Sequence, residues 1–172
     1  MRGNYIVVVA FFRFTGRVNM SEEKRNYLKE VCEETVKLSQ FQPGAYGKGK
    51  THCNNGSHRI ASIVGAKTNV FFNTSLTVMP ANKICVYAEK LAQENIISEL
   101  SIHFAQERAW QGEVVLICAR NRNPGKSGHV SIMYPSEPPD NEGLRAPVMI
   151  ANAGGINAVS YTHLTLPTIL LV

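Results

Sequence analysis

Four cysteines are spread through 172 residues, and only one of them stands in polar surroundings. Cys32, Cys85 and Cys118 fall inside apolar helix or strand patterns, where a thiol behaves as a small buried hydrophobe. Cys53 lies instead among Thr51, His52, Asn54 and Asn55, after a glycine-rich stretch (Gly44, Gly47, Gly49) and before a helical pattern. A thiol at a helix start gains from backbone amides and the positive end of the helix dipole, both of which favour the nucleophilic thiolate. Such a nucleophile needs a base within hydrogen-bond reach, and the base usually needs a third polar group to orient it. The second half of the chain supplies both in order. His129 opens the strand pattern Gly128-His129-Val130-Ser131-Ile132-Met133-Tyr134, and Asn152 closes the next one, Val148-Met149-Ile150-Ala151-Asn152. On neighbouring strands Asn152 would accept a hydrogen bond from one ring nitrogen of His129 and leave the other facing Cys53.

The remaining histidines have duller expectations. His52 and His58, one and five residues from Cys53, are expected to face solvent, and His103, inside a helical pattern, to be structural. There is no CxxC, HxxxH or HExxH spacing, so no metal site and no disulfide scaffold is expected. Neither GxGxxG nor GxxxxGK[ST] occurs, and no cofactor is required by the chemistry proposed for Cys53.

The elements that must carry these residues are readable from period and punctuation. Ser21-Glu22-Glu23 caps an amphipathic helix over 21–39, and Gln42 to Lys50 is a loop leading up to Cys53. Ile60, Ala61, Ile63 and Val64 give a short helix ended by Gly65. Another helix begins at Met79-Pro80-Ala81-Asn82, with Pro80 in its first turn, and a further one runs from Ser98 to Gln111, closed by Gly112. The period then changes, with strands at Val114 to Ala119, Gly128 to Tyr134 and Pro147 to Ala151. Helices followed by strands indicate an α+β domain.

Composition sets the outer bounds. Hydrophobic residues make up 44% and charged residues 18%, ordinary for a globular chain with a core of its own. Lys and Arg number 18 against 13 Asp and Glu, so the net charge of +5 suits anionic partners. The basic residues are scattered without an aromatic-interleaved stripe, so nucleic acid is not the expected partner. No apolar run reaches the roughly 18–20 residues of a membrane span. The N-terminal run Tyr5 to Phe12 is short and is not followed by a small-x-small cleavage site, so it reads as a strand rather than a signal peptide. A single domain over 1–158 and a monomer are expected. Ala158 to Thr168 reads like translated adapter sequence, which makes 159–172 a non-native tail, with the natural C-terminus missing and a strand edge left open. The alternative is an ordinary closing strand.

The order of these pieces resembles a family, the NlpC-like papain-fold peptidases and amidases, over about residues 44–157. The resemblance rests on Tyr46-Gly47 through Thr51-His52-Cys53-Asn54, on Met79-Pro80-Ala81-Asn82, and on Ala105-Gln106-Glu107-Arg108-Ala109-Trp110-Gln111-Gly112 before a strand. Its most specific parts are Asn123-Pro124-Gly125 leading into Gly128-His129-Val130-Ser131-Ile132, and Ile150-Ala151-Asn152-Ala153-Gly154. It implies a papain-like fold with N-terminal helices on a small antiparallel sheet, and a hydrolase that cuts an amide bond in bacterial peptidoglycan or its fragments. By the same resemblance Cys53 is the nucleophile, His129 the general base and then acid, and Asn152 the orienting residue. Tyr46 and Asn54 belong to the oxyanion and substrate side, and the place of action is the bacterial cell wall, whether the protein is secreted, periplasmic or phage-delivered. The chain departs from the family at Asn55-Gly56-Ser57-His58-Arg59, where apolar or aromatic residues normally bury the nucleophile helix, so weak packing behind Cys53 is expected. The rival readings are an inactive wall-binding or structural module of the same fold, and an acyltransferase using the same thiol.

Overall fold

The computed structural model of the chain describes residues 5–12, 21–42, 45, 52–66, 68–94, 102–121, 123, 125–137, 148–152 and 158–162. Its longest buried strand is β2 (Val114–Asn121), whose first five residues are all buried, as a strand covered on both faces must be. β1 (Tyr5–Phe12) pairs antiparallel with its whole length, from Tyr5 opposite Asn121 to Phe12 opposite Val114. The N-terminal apolar run is therefore the strand its composition suggests. β3 (His129–Met133) lies on the other side of β2, followed by β4 (Val148–Asn152) and β5 (Ala158–Thr162), in the order β1-β2-β3-β4-β5 with every pair antiparallel.

Among the described residues four α-helices accompany the sheet: α1 (Ser21–Lys37), α2 (Cys53–Ile63), α3 (Ala81–Gln93) and α4 (Ile102–Trp110). The architecture is thus α+β. Period-2 alternation sends Val114, Leu116 and Cys118 of β2, with Val130 and Ile132 of β3, into one core with Leu28, Cys32, Ile60, Phe71, Ile84 and Cys85 from the first three helices and the segment between α2 and α3. Their neighbours Val115, Ile117 and Met133 are buried on the opposite face, where α4 packs through Ala105 and Ala109.

Element ends shift in small, explicable ways. The first helix stops at Lys37 and the chain tightens into a 3₁₀ turn at Ser39–Phe41. Pro80 stands just outside α3 at its N-cap with extended backbone (ψ 146°), so it is not part of the first turn, and its carbonyl still accepts from Ile84. α2 and α4 end, as the sequence suggests, just before glycines in the left-handed conformation, Gly65 (φ 72°) and Gly112 (φ 83°). Ser98 lies outside the described residues. The edge of β4 that an altered tail would leave open is covered by β5, which pairs with it at every position from Val148 opposite Thr162 to Asn152 opposite Ala158.

Candidate active site

β3 leaves part of one edge uncovered by strand. Its pairing with β4 is confined to Ile132 opposite Ala151 and Met133 opposite Ile150, among the described residues. The start of α2 comes in there. The Ser57 hydroxyl donates to the Val130 carbonyl at 3.2 Å, and the Val130 amide donates to the Cys53 sulfur one helical turn earlier. A strand residue presents its N–H and C=O to the same side, so one residue of β3 receives both contacts from one face of α2. The thiol therefore sits against the residue that follows His129.

This contact corrects the expectation of weak packing behind Cys53. Gly56 and Ser57 are buried, and their small size lets α2 approach the strand closely enough for a hydroxyl to reach a backbone carbonyl. Ile60 and Ala61 complete the buried side. His58 is half-buried: its ring meets Phe72 edge-on at 4.5 Å and Phe71 at 5.7 Å, and burial lowers its pKa. His52 is half-buried too, with Nδ1 2.9 Å from the Asn55 amide nitrogen.

The electrostatics of the thiol run against the simplest reading of a helix-start cysteine. Cys53 is only 3% exposed, and burial raises its pKa above the ordinary thiol value. The amides of Val130, Asn54 and Cys53 itself pull the other way without prevailing, and Cys85 adds a further push upward. Helix-start stabilisation is present, then, and desolvation outweighs it. Two more thiols converge on the same stretch of β3. Cys85 Sγ lies 4.0 Å from the His129 carbonyl, and Cys118 is opposite Val130 in the β2–β3 register. Cys118 is pushed well up, first by its hydrogen bond with Cys85 and then by burial.

Of the residues singled out in the sequence, Cys53 and Asn54 open α2, and the Cys53 sulfur meets the backbone of β3 at Val130, the residue next to His129. Asn54 donates to the Met79 carbonyl at 2.9 Å, tying α2 to the residue two before α3. Asn152 directly follows Ala151, the partner of Ile132, so it stands one step nearer the His129 end of β3 on the adjacent strand. Tyr46 lies outside the described residues.

Asn82 is the positioning residue that spacing does not reveal. From the first turn of α3 its Oδ1 accepts from the Asn121 amide at 2.9 Å and its Nδ2 donates to the Lys126 carbonyl at 2.9 Å. It thus clamps both limbs of the loop joining β2 to His129. Gly128 completes the fit, because a Cβ there would overlap the Asn82 side-chain oxygen and stand 2.7 Å from the Ala119 carbonyl oxygen. Both bonds go to backbone groups remote in sequence, which no local pattern encodes.

Comparison of the chain with protein-family models, with curated proteins and with solved structures returns no match. Among the described residues, no helix is long and apolar enough to cross a membrane.

Proposed function

We propose that this chain is a papain-like cysteine hydrolase that cleaves an amide bond in bacterial cell-wall peptidoglycan, as an endopeptidase or an amidase. The observation that carries the reading is the seat of Cys53: first residue of α2, its sulfur held by the amide of Val130, the residue after His129. Because burial favours the neutral thiol, the thiolate is made on demand by proton transfer to His129, with Asn152 orienting the ring. Thiolate attack on the substrate carbonyl forms the C–S bond and moves the carbonyl π pair onto oxygen, where the amides at the start of α2 stabilise it. Collapse breaks the C–N bond as His129 returns its proton to the leaving amine. Water, deprotonated by His129, then displaces sulfur to give the carboxylic acid and the free thiol. The net charge of +5 suits an anionic wall.

Digestion of purified peptidoglycan, with mass spectrometry of the products, tests the proposal. New amine and carboxyl termini are expected with the intact sequence and none with Cys53→Ala; an undigested wall in both refutes it. The burial of Cys53 favours one rival, an inactive wall-binding module of the same fold. That reading predicts co-sedimentation with peptidoglycan and no new termini.

A further inference from the structure

A groove of about 890 Å³ runs between α3 and the loop joining β2 to β3. Lys83, Val86, Tyr87 and Lys90 form its helical wall at the i, i+3, i+4, i+7 spacing of a single helix face. Arg120, Asn121 and Asn123 form the facing wall, and Met79 and Asn82 close the end nearest the start of α3. Cations thus stand on both walls, and among the described residues none that lines the groove is acidic. The nearby carboxylates are already engaged, Glu89 with Arg120 at 3.2 Å and Glu94 with Lys90 at 3.7 Å. Lys83 has no such partner among the described residues.

The groove also adjoins the machinery. Met79 receives the Asn54 side chain from the residue after Cys53, and Asn82 holds the loop that ends at His129. A ligand lying along α3 therefore reaches the junction from which both reacting side chains are positioned. Met79, Val86 and Tyr87 offer apolar surface between the charged groups, a mixture that matches a peptide with aliphatic side chains and carboxylates better than a polyanion without apolar parts.

We infer that this groove binds a carboxylate-bearing peptide segment of the substrate, with Lys83 and Arg120 as the cations that recognise the carboxylates. The inference rests on the hydrolase reading and adds the substrate's charge to it. Lys83 is exposed, so its replacement leaves folding alone; Arg120 is held by Glu89, which fixes its guanidinium at the groove wall.

The test compares a peptidoglycan stem-peptide fragment with free carboxylates against the same fragment amidated, using the full chain, Lys83→Gln and Arg120→Gln. The free form should have the lower KM by about two- to fivefold for each ion pair, with kcat little changed. That preference should shrink towards unity in each variant and in high salt. A preference that survives both substitutions overturns the groove assignment and leaves hydrolysis standing. No cleavage of either fragment by the unaltered chain refutes the hydrolase reading instead. Calorimetric titration of Cys53→Ala, with and without Lys83→Gln, then decides the groove: weaker binding of the free fragment on losing Lys83 supports it, and unchanged binding overturns it.

Discussion

Replacing Asn82 with alanine should damage catalysis more than it damages the fold. The side chain makes two hydrogen bonds of 2.9 Å, one to the half-buried Asn121 amide and one to the exposed Lys126 carbonyl. A protein hydrogen bond contributes about 0.5–1.5 kcal/mol net, and water can replace the exposed one, so the loss should total about 1–1.5 kcal/mol. For a chain of this length that is roughly 2–6 °C in Tm. The loop released by the change runs directly into Gly128 and His129, and a shift on the order of 1 Å between reacting groups costs about 10²-fold in rate. Urea unfolding and kcat/KM on a peptidoglycan fragment should therefore separate a modest stability loss from a 10- to 100-fold loss of turnover, on the order that misplacement produces. Asn82→Asp should be no better, because it keeps the acceptor for Asn121 and sets a second acceptor against the Lys126 carbonyl. Gly128→Ala should be destabilising through overlap with the Asn82 oxygen, and the double variant with Asn82→Ala should lose less than the two single losses combined. Asn82→Ala within about 0.5 kcal/mol of the parent and fully active, or strict additivity with Gly128→Ala, would refute the clamp.

Ser57→Ala removes the donor to the Val130 carbonyl and should cost about 1–2 kcal/mol; Ser57→Val should cost more, because α2 must move off β3. Cys32, Cys53 and Cys118 all have thiol pKa values raised in the fold above 9.0, so the unfolded chain releases protons first on alkalinisation. Stability is then fully present below about pH 9 and falls as pH rises beyond it, less steeply in Cys32→Ala; a flat unfolding free energy between about pH 8 and 10.5 contradicts this. Truncation after Ala158 removes most of β5 and bares the β4 edge, so soluble yield and Tm should fall. Unchanged yield and Tm would show that residues 159–172 carry no structure, as their adapter-like sequence suggests.

What the sequence made legible follows the reach of each signal. Val114 to Ala119 announces a buried strand because the apolar run is local, and Gly128 to Tyr134 announces the next because alternation is local too. Cys53 at a helix start is legible for the same reason. Its burial is not, since it depends on α2 meeting the open edge of β3, and desolvation there outweighs the amides that the local pattern promised. The polar run after Cys53 misleads because Ser57 and His58 are read as solvated, whereas one bonds a strand carbonyl and the other meets Phe71 and Phe72 edge-on. The Asn82 clamp is silent in sequence because its partners lie 39 and 44 residues away.

If His129 turns a buried, neutral Cys53 into a nucleophile, as proposed, the alkylation rate of Cys53 at pH 7 must depend on His129. Mass spectrometry can follow iodoacetamide labelling of the Cys53 peptide in the parent chain and in His129→Ala. Loss of His129 should slow labelling by about a hundredfold, within the range a general base supplies, while Asn152→Ala should slow it less. Equal labelling rates in the parent and His129→Ala chains would contradict it.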